Sequence, residues 1–297
     1  MGLYDYRHIM ANERTCFGFI HRLRWPRGVR CPSCGGPRIY TMREGGLARY
    51  RCKHCQRHFS LRTGTLLEGS RLPLTKWVLA IGLLRVGISA RALARELAVS
   101  RQTAWELLHR LRDALRSDVL ARKLRGRIEI DETYIGGRQK GKRGRGAAHK
   151  SVVIGLKVRN GRVRSLLMPS VATAEIHRVL KTHVAKGARL YTDEFSSYRK
   201  VRSIGFRHRR VAHSRRFVRG QTHTQSIEGH WGHVKPTLVA RHRSVSPTHL
   251  QRYLIEADFK HRLPEDTDFI ALVLHRLLAP QLALPIQRQL VLLLDPK

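Results

Sequence analysis

Arg127-Ile-Glu-Ile-Asp131 alternates polar and apolar residues as a half-buried strand does, and it closes on a carboxylate. Arg189-Leu-Tyr-Thr-Asp193 closes the same way. A third acid, Glu228, opens the helix-like stretch Gln225-Ser-Ile-Glu228-Gly-His-Trp-Gly-His-Val-Lys235. Acids are scarce here, 21 Asp+Glu against 58 Lys+Arg, so three in such placements need a reason. One acid at a strand end is commonly a turn or cap residue. Three on two strands and a helix of one segment can hold two divalent cations, which clamp the attacking and leaving oxygens of a phosphodiester. The pattern therefore points to nuclease or strand-transfer chemistry.

Strand alternation sets Glu129 on the face of Asp131, about 6.8 Å along the strand, as a competitor for the same site. It sets Glu132 on the opposite face. Glu194 follows Asp193 off the strand and reads as a cap. On the helix, Ile227, Trp231 and Val234 make the packing stripe. Glu228 and Lys235 share a face roughly 10 Å apart, two turns of helix. A carboxylate on a metal and a lysine reaching a neighbouring phosphate fit that spacing, although the plain reading of Lys235 is a surface lysine.

Around these acids, residues 121–262 alternate strand and helix patterns. A strand at 127–131 is followed by a hairpin, 151–158 and 162–168, turning across Arg159-Asn160-Gly161. A helix at 172–183, strands at 188–193 and 206–211, and a helix from 225 complete the segment. A hairpin followed by alternation predicts a mixed α/β sheet. Two basic clusters interrupt it, one over 138–150 and one over 207–219. Either is a solvated loop in the isolated protein. Clustered like charge repels itself, however, and such loops suit a phosphate backbone that they position without reading sequence. Lys140, Lys142, Arg143 and Arg145 are the candidate contacts in the first.

Upstream, residues 1–60 hold all five cysteines. Cys31-Pro-Ser-Cys34 and Cys52-Lys-His-Cys55 have the spacing of a four-cysteine zinc site, each turn presenting two thiolates to one metal. Two disulfides or an iron–sulfur cluster would use the same thiols; a reducing compartment favours zinc. Gly35-Gly36 supplies a tight turn, and strands at 39–41 and 48–51 flank a hairpin. Cys16 is read as a buried thiol and His54 as a surface residue. Such a ribbon stabilises the fold but leaves no open metal position for catalysis.

Residues 61–120 read as helical. Leu74 to Leu84 is apolar-periodic behind Pro73. Leu93 and Leu97 form one stripe, and Ala104, Leu107, Leu108 and Leu111 another, with Ser100 as a helix cap between them. This is a helix-turn-helix layout, whose second helix would offer Arg101, Gln102 and Thr103 to the major groove. A plain helical hairpin is the alternative. The remaining tail, 263–297, is apolar and almost neutral, carrying Arg276, Arg288 and Lys297 against Glu265, Asp266, Asp268 and Asp295. It is expected to pack or to meet a partner rather than contact nucleic acid.

Net charge is +37, which calls for a polyanion such as DNA, and 42% hydrophobic content supports folded cores. The apolar stretch from Phe269 to Leu294 is broken by Pro280, Pro285 and several polar residues, which excludes an uninterrupted membrane span. The opening Met1-Gly-Leu-Tyr-Asp-Tyr-Arg-His lacks a basic-then-apolar leader pattern. A cytoplasmic, nucleoid-associated protein without membrane contact is expected.

Several motifs in fixed order resemble a known family. They are Arg24-Trp-Pro-Arg-Gly-Val-Arg-Cys-Pro-Ser-Cys-Gly, Phe59-Ser-Leu-Arg-Thr-Gly-Thr, Leu74-Thr-Lys-Trp and Ile130-Asp-Glu-Thr-Tyr-Ile-Gly-Gly. They continue with Tyr191-Thr-Asp, His223-Thr-Gln-Ser-Ile-Glu-Gly-His-Trp-Gly-His-Val-Lys and His249-Leu-Gln-Arg-Tyr-Leu-Ile-Glu. To about Arg262 the chain resembles bacterial insertion-sequence transposases that join a zinc ribbon to a ribonuclease-H-like DDE catalytic domain. The resemblance implies a multidomain α/β protein with structural Zn²⁺ and catalytic Mg²⁺ or Mn²⁺. Asp131, Asp193 and Glu228 would be the metal-binding acids, and Lys235 the accompanying lysine. It further implies double-stranded DNA, both element ends and target, as partner, and a homodimer or higher assembly on it. Gln225 replaces the family's asparagine three residues before the glutamate, and Phe259-Lys-His-Arg-Leu lacks the asparagine of the family's ending. The rival reading is a non-catalytic or domesticated regulator that keeps only the ribbon and helix-turn-helix.

Overall fold

A computed structural model describes residues 2–44, 47–120, 122–136, 150–211, 223–261 and 263–279. Their contacts divide into two compact units, one up to Ala114 and again from Pro264, the other from Leu115 to Leu263. The segments read separately as 1–60, 61–120 and 263–297 thus fall mostly in the first unit, with residues 115–120 and Leu263 in the second. Among the described residues, no helix is long and apolar enough to cross a membrane.

The first unit opens with α1 (Glu13–Arg24), capped by the Asn12 carboxamide, which accepts from Thr15 N at 2.8 Å. An antiparallel sheet of β1 (Ile39–Glu44), β2 (Leu47–Cys52) and β3 (His58–Ser60) follows, with β2 central. Trp25, Tyr50 and Phe59 pack edge-on or stacked behind it. Helix α2 (Leu74–Val86) has Pro73 at its cap position, where a side-chain cap is lacking. Glu13 supplies it instead, its carboxylate accepting from Leu74 N at 2.7 Å and Thr75 N at 3.2 Å. Helices α3 (Ala90–Glu96) and α4 (Arg101–Leu120) are joined by a short turn in which Ala98 takes φ +46°. Ser100 Oγ accepts from Thr103 N at 3.0 Å and so caps α4. The tail contributes α8 (Phe269–Leu278), which packs on α1 and α2. Asp268 caps it and also accepts from Tyr6 Oη at 2.8 Å.

The second unit is built on β4 (Arg127–Ile135), β5 (Ser151–Val158), β6 (Val163–Met168), β7 (Arg189–Thr192) and β8 (Arg207–Arg210). The order is β6-β5-β4-β7-β8, with an antiparallel β4-β5-β6 meander and β7 and β8 parallel to β4. Alternation divides the core. Ile128, Ile130, Ile154, Leu156 and Leu190 face α5 (Thr173–His183), packing with Ile176 and Leu180. Val153 and Val163 face α6 (Gln225–His242) and α7 (Pro247–Lys260), packing with Ile227, Trp231, Val234, Leu250 and Leu254. Edge strand β6 finds its outward partners on α7. Asp258 Oδ2 accepts from Ser165 N at 2.6 Å, and Gln251 Oε1 from Leu167 N at 2.9 Å. These bonds occupy an edge that would otherwise pair with another chain.

Candidate functional site

In the ribbon, the four thiols converge. Cys31 Sγ lies 3.6 Å from Cys55 Sγ and Cys34 Sγ lies 3.6 Å from Cys52 Sγ, all four within 4.8 Å of one another. A disulfide would bring two sulfurs to about 2 Å. A tetrahedron of Zn–S bonds near 2.3 Å has edges of about 3.8 Å, and the observed spacing fits it. Each knuckle turns back on itself: Gly35 N donates to Cys31 O at 2.9 Å, and Gln56 N to Cys52 O at 3.0 Å. Gly35 takes φ +74°, a conformation that costs glycine little. The backbone N–H groups of Cys55 and His54 hold the Cys52 thiol down to about 6, whereas desolvation and the neighbouring thiols push Cys34 up to about 12, so without a cation the four do not ionise together. Cys16 is fully buried, and burial pushes its thiol up to about 12, so it stays protonated and inert. His54 is exposed.

The acids lie in the second unit. Asp131 sits within β4 rather than at its end, because β5 pairs with β4 as far as Ile135. Asp193 directly follows β7, and Glu228 lies in the first turn of α6. The last paired positions of β4 and β7 are Glu129 and Tyr191; two residues beyond them come Asp131 and Asp193. Burial first, then the charges of Asp193 and Glu228, push the Asp131 carboxyl up to about 6, against the opposing Glu132 backbone N–H and Lys235. Asp131 thus lies within electrostatic range of Asp193, Glu228 and Lys235. The atoms packed around Lys235 lower its proton affinity; Asp131 acts the other way, and Lys150 adds to the lowering.

Two supports place α6 against Asp131. Gly155 is the β5 residue opposite Asp131. A Cβ there would fall 2.4 Å from Trp231 Cζ2 and 2.6 Å from Ile227 Cδ1, so only glycine admits the helix this close. The other support is Glu129, fully buried. Its Oε2 accepts from Ser226 N at 2.9 Å and Ile227 N at 3.2 Å, capping α6 from a neighbouring strand. Its Oε1 accepts from Arg159 Nε at 2.8 Å. Arg159 in turn lies over the Tyr191 ring at 4.1 Å and donates to His223 O at 3.0 Å. Both oxygens of Glu129 are engaged, which corrects its reading as a competitor for the metal site. It holds the turn that carries Glu228.

Glu132 faces the other side, where its Oε2 accepts from Tyr198 Oη at 2.6 Å. Asp193 caps the turn after β7, accepting from Phe195 N at 2.9 Å. Glu228 Oε1 accepts from Thr224 Oγ1 at 2.7 Å. On α4, Arg101 and Gln102 are exposed and Thr103 is half-buried, with Gln102 Nε2 donating to Glu106 at 2.8 Å. Lys140, Lys142, Arg143 and Arg145 lie outside the described residues.

Residues 11–58 match the transposase zinc-ribbon domain and residues 123–261 the ISXO2-like transposase domain. A protein of transposable element ISH50 from Halobacterium salinarum is 32% identical over 266 residues, covering 82% of this chain and 89% of that one. A transposase-like protein of Haemophilus influenzae is 26% identical over 99 residues, 33% of this chain and 80% of its own. Likeness to the pre-cleavage Mos1 transpososome is slight, with TM-score 0.30 and 15% identity over 68% of this chain and 74% of that one. The Mos1 strand transfer complex gives 0.29 and 16%, over 68% and 73%. The chain belongs to the zinc-ribbon DDE transposases of insertion sequences, the family that carries the ISXO2-like transposase domain.

Proposed function

We propose that this protein cuts and joins DNA at the ends of its own insertion sequence, with Asp131, Asp193 and Glu228 as the carboxylates that hold two divalent cations. One observation carries the reading: Asp131 is pushed up to about 6 by burial and by the two other acids. A cluster that resists its own ionisation is relieved by a cation, and the donors are all oxygens, as Mg²⁺ or Mn²⁺ prefers. The strand order, a three-stranded meander joined to two parallel strands, supports the ribonuclease-H-like description.

When bound, the cations supply a clamp on the attacking and leaving oxygens. The chain's own groups do the rest. Glu129 and Gly155 fix α6 so that Glu228 meets the strand acids, and Lys235 sits beside them to contact a phosphate. In cleavage, water attacks phosphorus, the P–O3′ bond breaks and the leaving 3′-oxygen takes a proton. In joining, that 3′-hydroxyl attacks a target phosphate and displaces a second 3′-oxygen. The ribbon, with Zn²⁺ held by Cys31, Cys34, Cys52 and Cys55, and the α3–α4 pair acting as a helix-turn-helix, would recognise the terminal inverted repeats. Arg101, Gln102 and Thr103 would face the groove. Lys140, Lys142, Arg143 and Arg145 would add phosphate contacts, and joining two ends implies at least a dimer on DNA.

The test is a Mg²⁺-dependent cleavage assay on element-end duplexes beside a metal-free binding assay. Asp131→Asn, Asp193→Asn and Glu228→Gln should each abolish cleavage and leave binding intact. Full cleavage by Glu228→Gln would remove that residue from the site. Binding without cleavage by the unaltered protein would favour the regulator.

A further inference from the structure

On the face of the sheet that carries Asp131, the parallel strands begin with a row of arginines. Arg127 of β4 pairs with Arg189 of β7, and Arg189 with Arg207 of β8. Partners in a parallel ladder point to the same side, so the three side chains lie along one rung. Arg127 and Arg207 are exposed and Arg189 is half-buried. They line an open cleft of about 520 Å³ with Arg125 and Lys186, and no acid is among its lining residues. Its floor is small: Gly126, Ala185, Gly187 and Ala188, with open space where a Cβ would extend from either glycine.

This placement is unusual for a sheet of this kind. Charged residues on an edge strand deter unwanted pairing, and that accounts for Arg207. It does not account for Arg127 and Arg189, which stand on strands paired on both sides. Strands so placed are ordinarily apolar. Three like charges on one rung repel one another, and among the described residues that line the cleft every charged one is basic.

We infer that this arginine row grips the sugar–phosphate backbone of duplex DNA, at the opposite end of the same sheet face from the acids. With strands about 4.8 Å apart, the outer two Cα atoms stand roughly 10 Å from each other. That length of duplex axis presents about three phosphates of one strand. The acids lie four residues further along β4 and β7, roughly 13 Å away. This is close to the ~12 Å width of the major groove, so one duplex reaches both. Small residues in the cleft floor let the backbone approach. The contact is with phosphate, so it holds DNA of any sequence beside the site of cutting.

The inference rests on the proposed transposase reading for its choice of duplex DNA, and the experiment separates the two. Binding of the full-length protein to a duplex of unrelated sequence, without divalent cations, is measured between 50 and 200 mM salt. In Arg127→Gln/Arg189→Gln/Arg207→Gln, the slope of log affinity against log salt should shrink by about 2.7, at roughly 0.9 per lost phosphate contact. The unaltered protein should then lose about 40-fold more affinity than the variant across that range. The corresponding triple lysine variant should restore the slope. Should the triple glutamine variant unfold, Arg207→Gln alone, on the edge strand, should still lower the slope by about 0.9. An unchanged slope in a folded variant overturns the inference, and so does an arginine-dependent contribution larger on single-stranded than on duplex DNA. A variant that keeps the slope while the parent cuts element ends sinks this surface and spares the transposase. A lowered slope in a protein that never cuts does the reverse.

Discussion

The four cysteines and the three carboxylates are both candidate metal sites, and they are assembled in opposite ways. In the ribbon, two short turns present all four sulfurs, and each turn is closed by its own backbone. The site is finished within residues 31–55. The acids come from two strand segments and a helix, and local bonds such as Phe195 N to Asp193 and Thr224 Oγ1 to Glu228 do not by themselves bring them together. Their geometry depends on Glu129 bonding the first turn of α6 and on Gly155 making room for Trp231. The cysteine site is written locally, whereas the acid cluster is written into the packing around it.

The contrast is testable, and the largest effect should fall on the ribbon. Cys52→Ser should remove zinc, about 10 kcal/mol or more of binding free energy that is also folding free energy in small zinc domains. Recognition of element ends should collapse while the thermal transition of the second unit stays in place. Metal analysis and calorimetry on the same sample would check it; zinc retained at one per chain would break the comparison.

Glu129→Gln should come next. It keeps the shape of the side chain but leaves Arg159 without its charged partner and weakens the cap on α6. Partners that orient metal ligands are worth roughly 10–100-fold in activity or metal affinity, and that is the expected loss of cleavage. DNA affinity measured without divalent cations should hardly change. Equal loss in both assays would mean that Glu129 merely stabilises the unit.

The acids should also confer a pH dependence of their own, on the binding of a hard cation. Asp131 titrates near 6 in the folded protein, above the ordinary 3.8, so without cations its contribution to stability is present at low pH and lost as pH rises through 6. Cation binding runs the other way, because the metal requires the ionised carboxylate. Mg²⁺ or Mn²⁺ affinity, followed by calorimetry, should fall up to about tenfold per pH unit below 6. In Asp131→Asn that slope should vanish.

Gly155→Ala is the mildest change. Overpacking of this kind typically costs 1–3 kcal/mol, roughly a few degrees in the melting temperature of the second unit. Cleavage should fall with it as α6 is displaced, and Trp231→Phe in the same chain should recover part of both. A variant as stable and as active as the parent would show that the glycine does not set the helix distance.

How much of this was legible depends on range. The ribbon ligands are readable because spacing alone determines them. The short third strand, His58–Ser60, is not, since three residues carry too little pattern. Asp131 reads as a strand end because apolar alternation stops at Ile130, yet pairing with β5 carries the strand on to Ile135. Helix α6 runs past Lys235 and through Pro236 to His242, although a proline there gives up one helix hydrogen bond and crowds the Gly232 carbonyl. Glu129 shows the limit most clearly. Alternation gives its face, but only the fold shows the N–H groups of Ser226 and Ile227 turned toward it. The arginine row is likewise invisible until the register of β4, β7 and β8 is known.

The first unit is closed by α8, which arrives late in the chain: Leu66 N donates to Leu277 O at 3.0 Å, and Tyr6 bonds Asp268. A nascent chain leaves the ribosome at about 5–20 residues per second, and its domains generally fold as they emerge. Residues 115–263 are therefore all synthesised before the element that completes the unit begun at the N-terminus. The part begun first is finished last. In this chain the order delays completion of the ribbon-bearing unit until translation has passed the transposase domain.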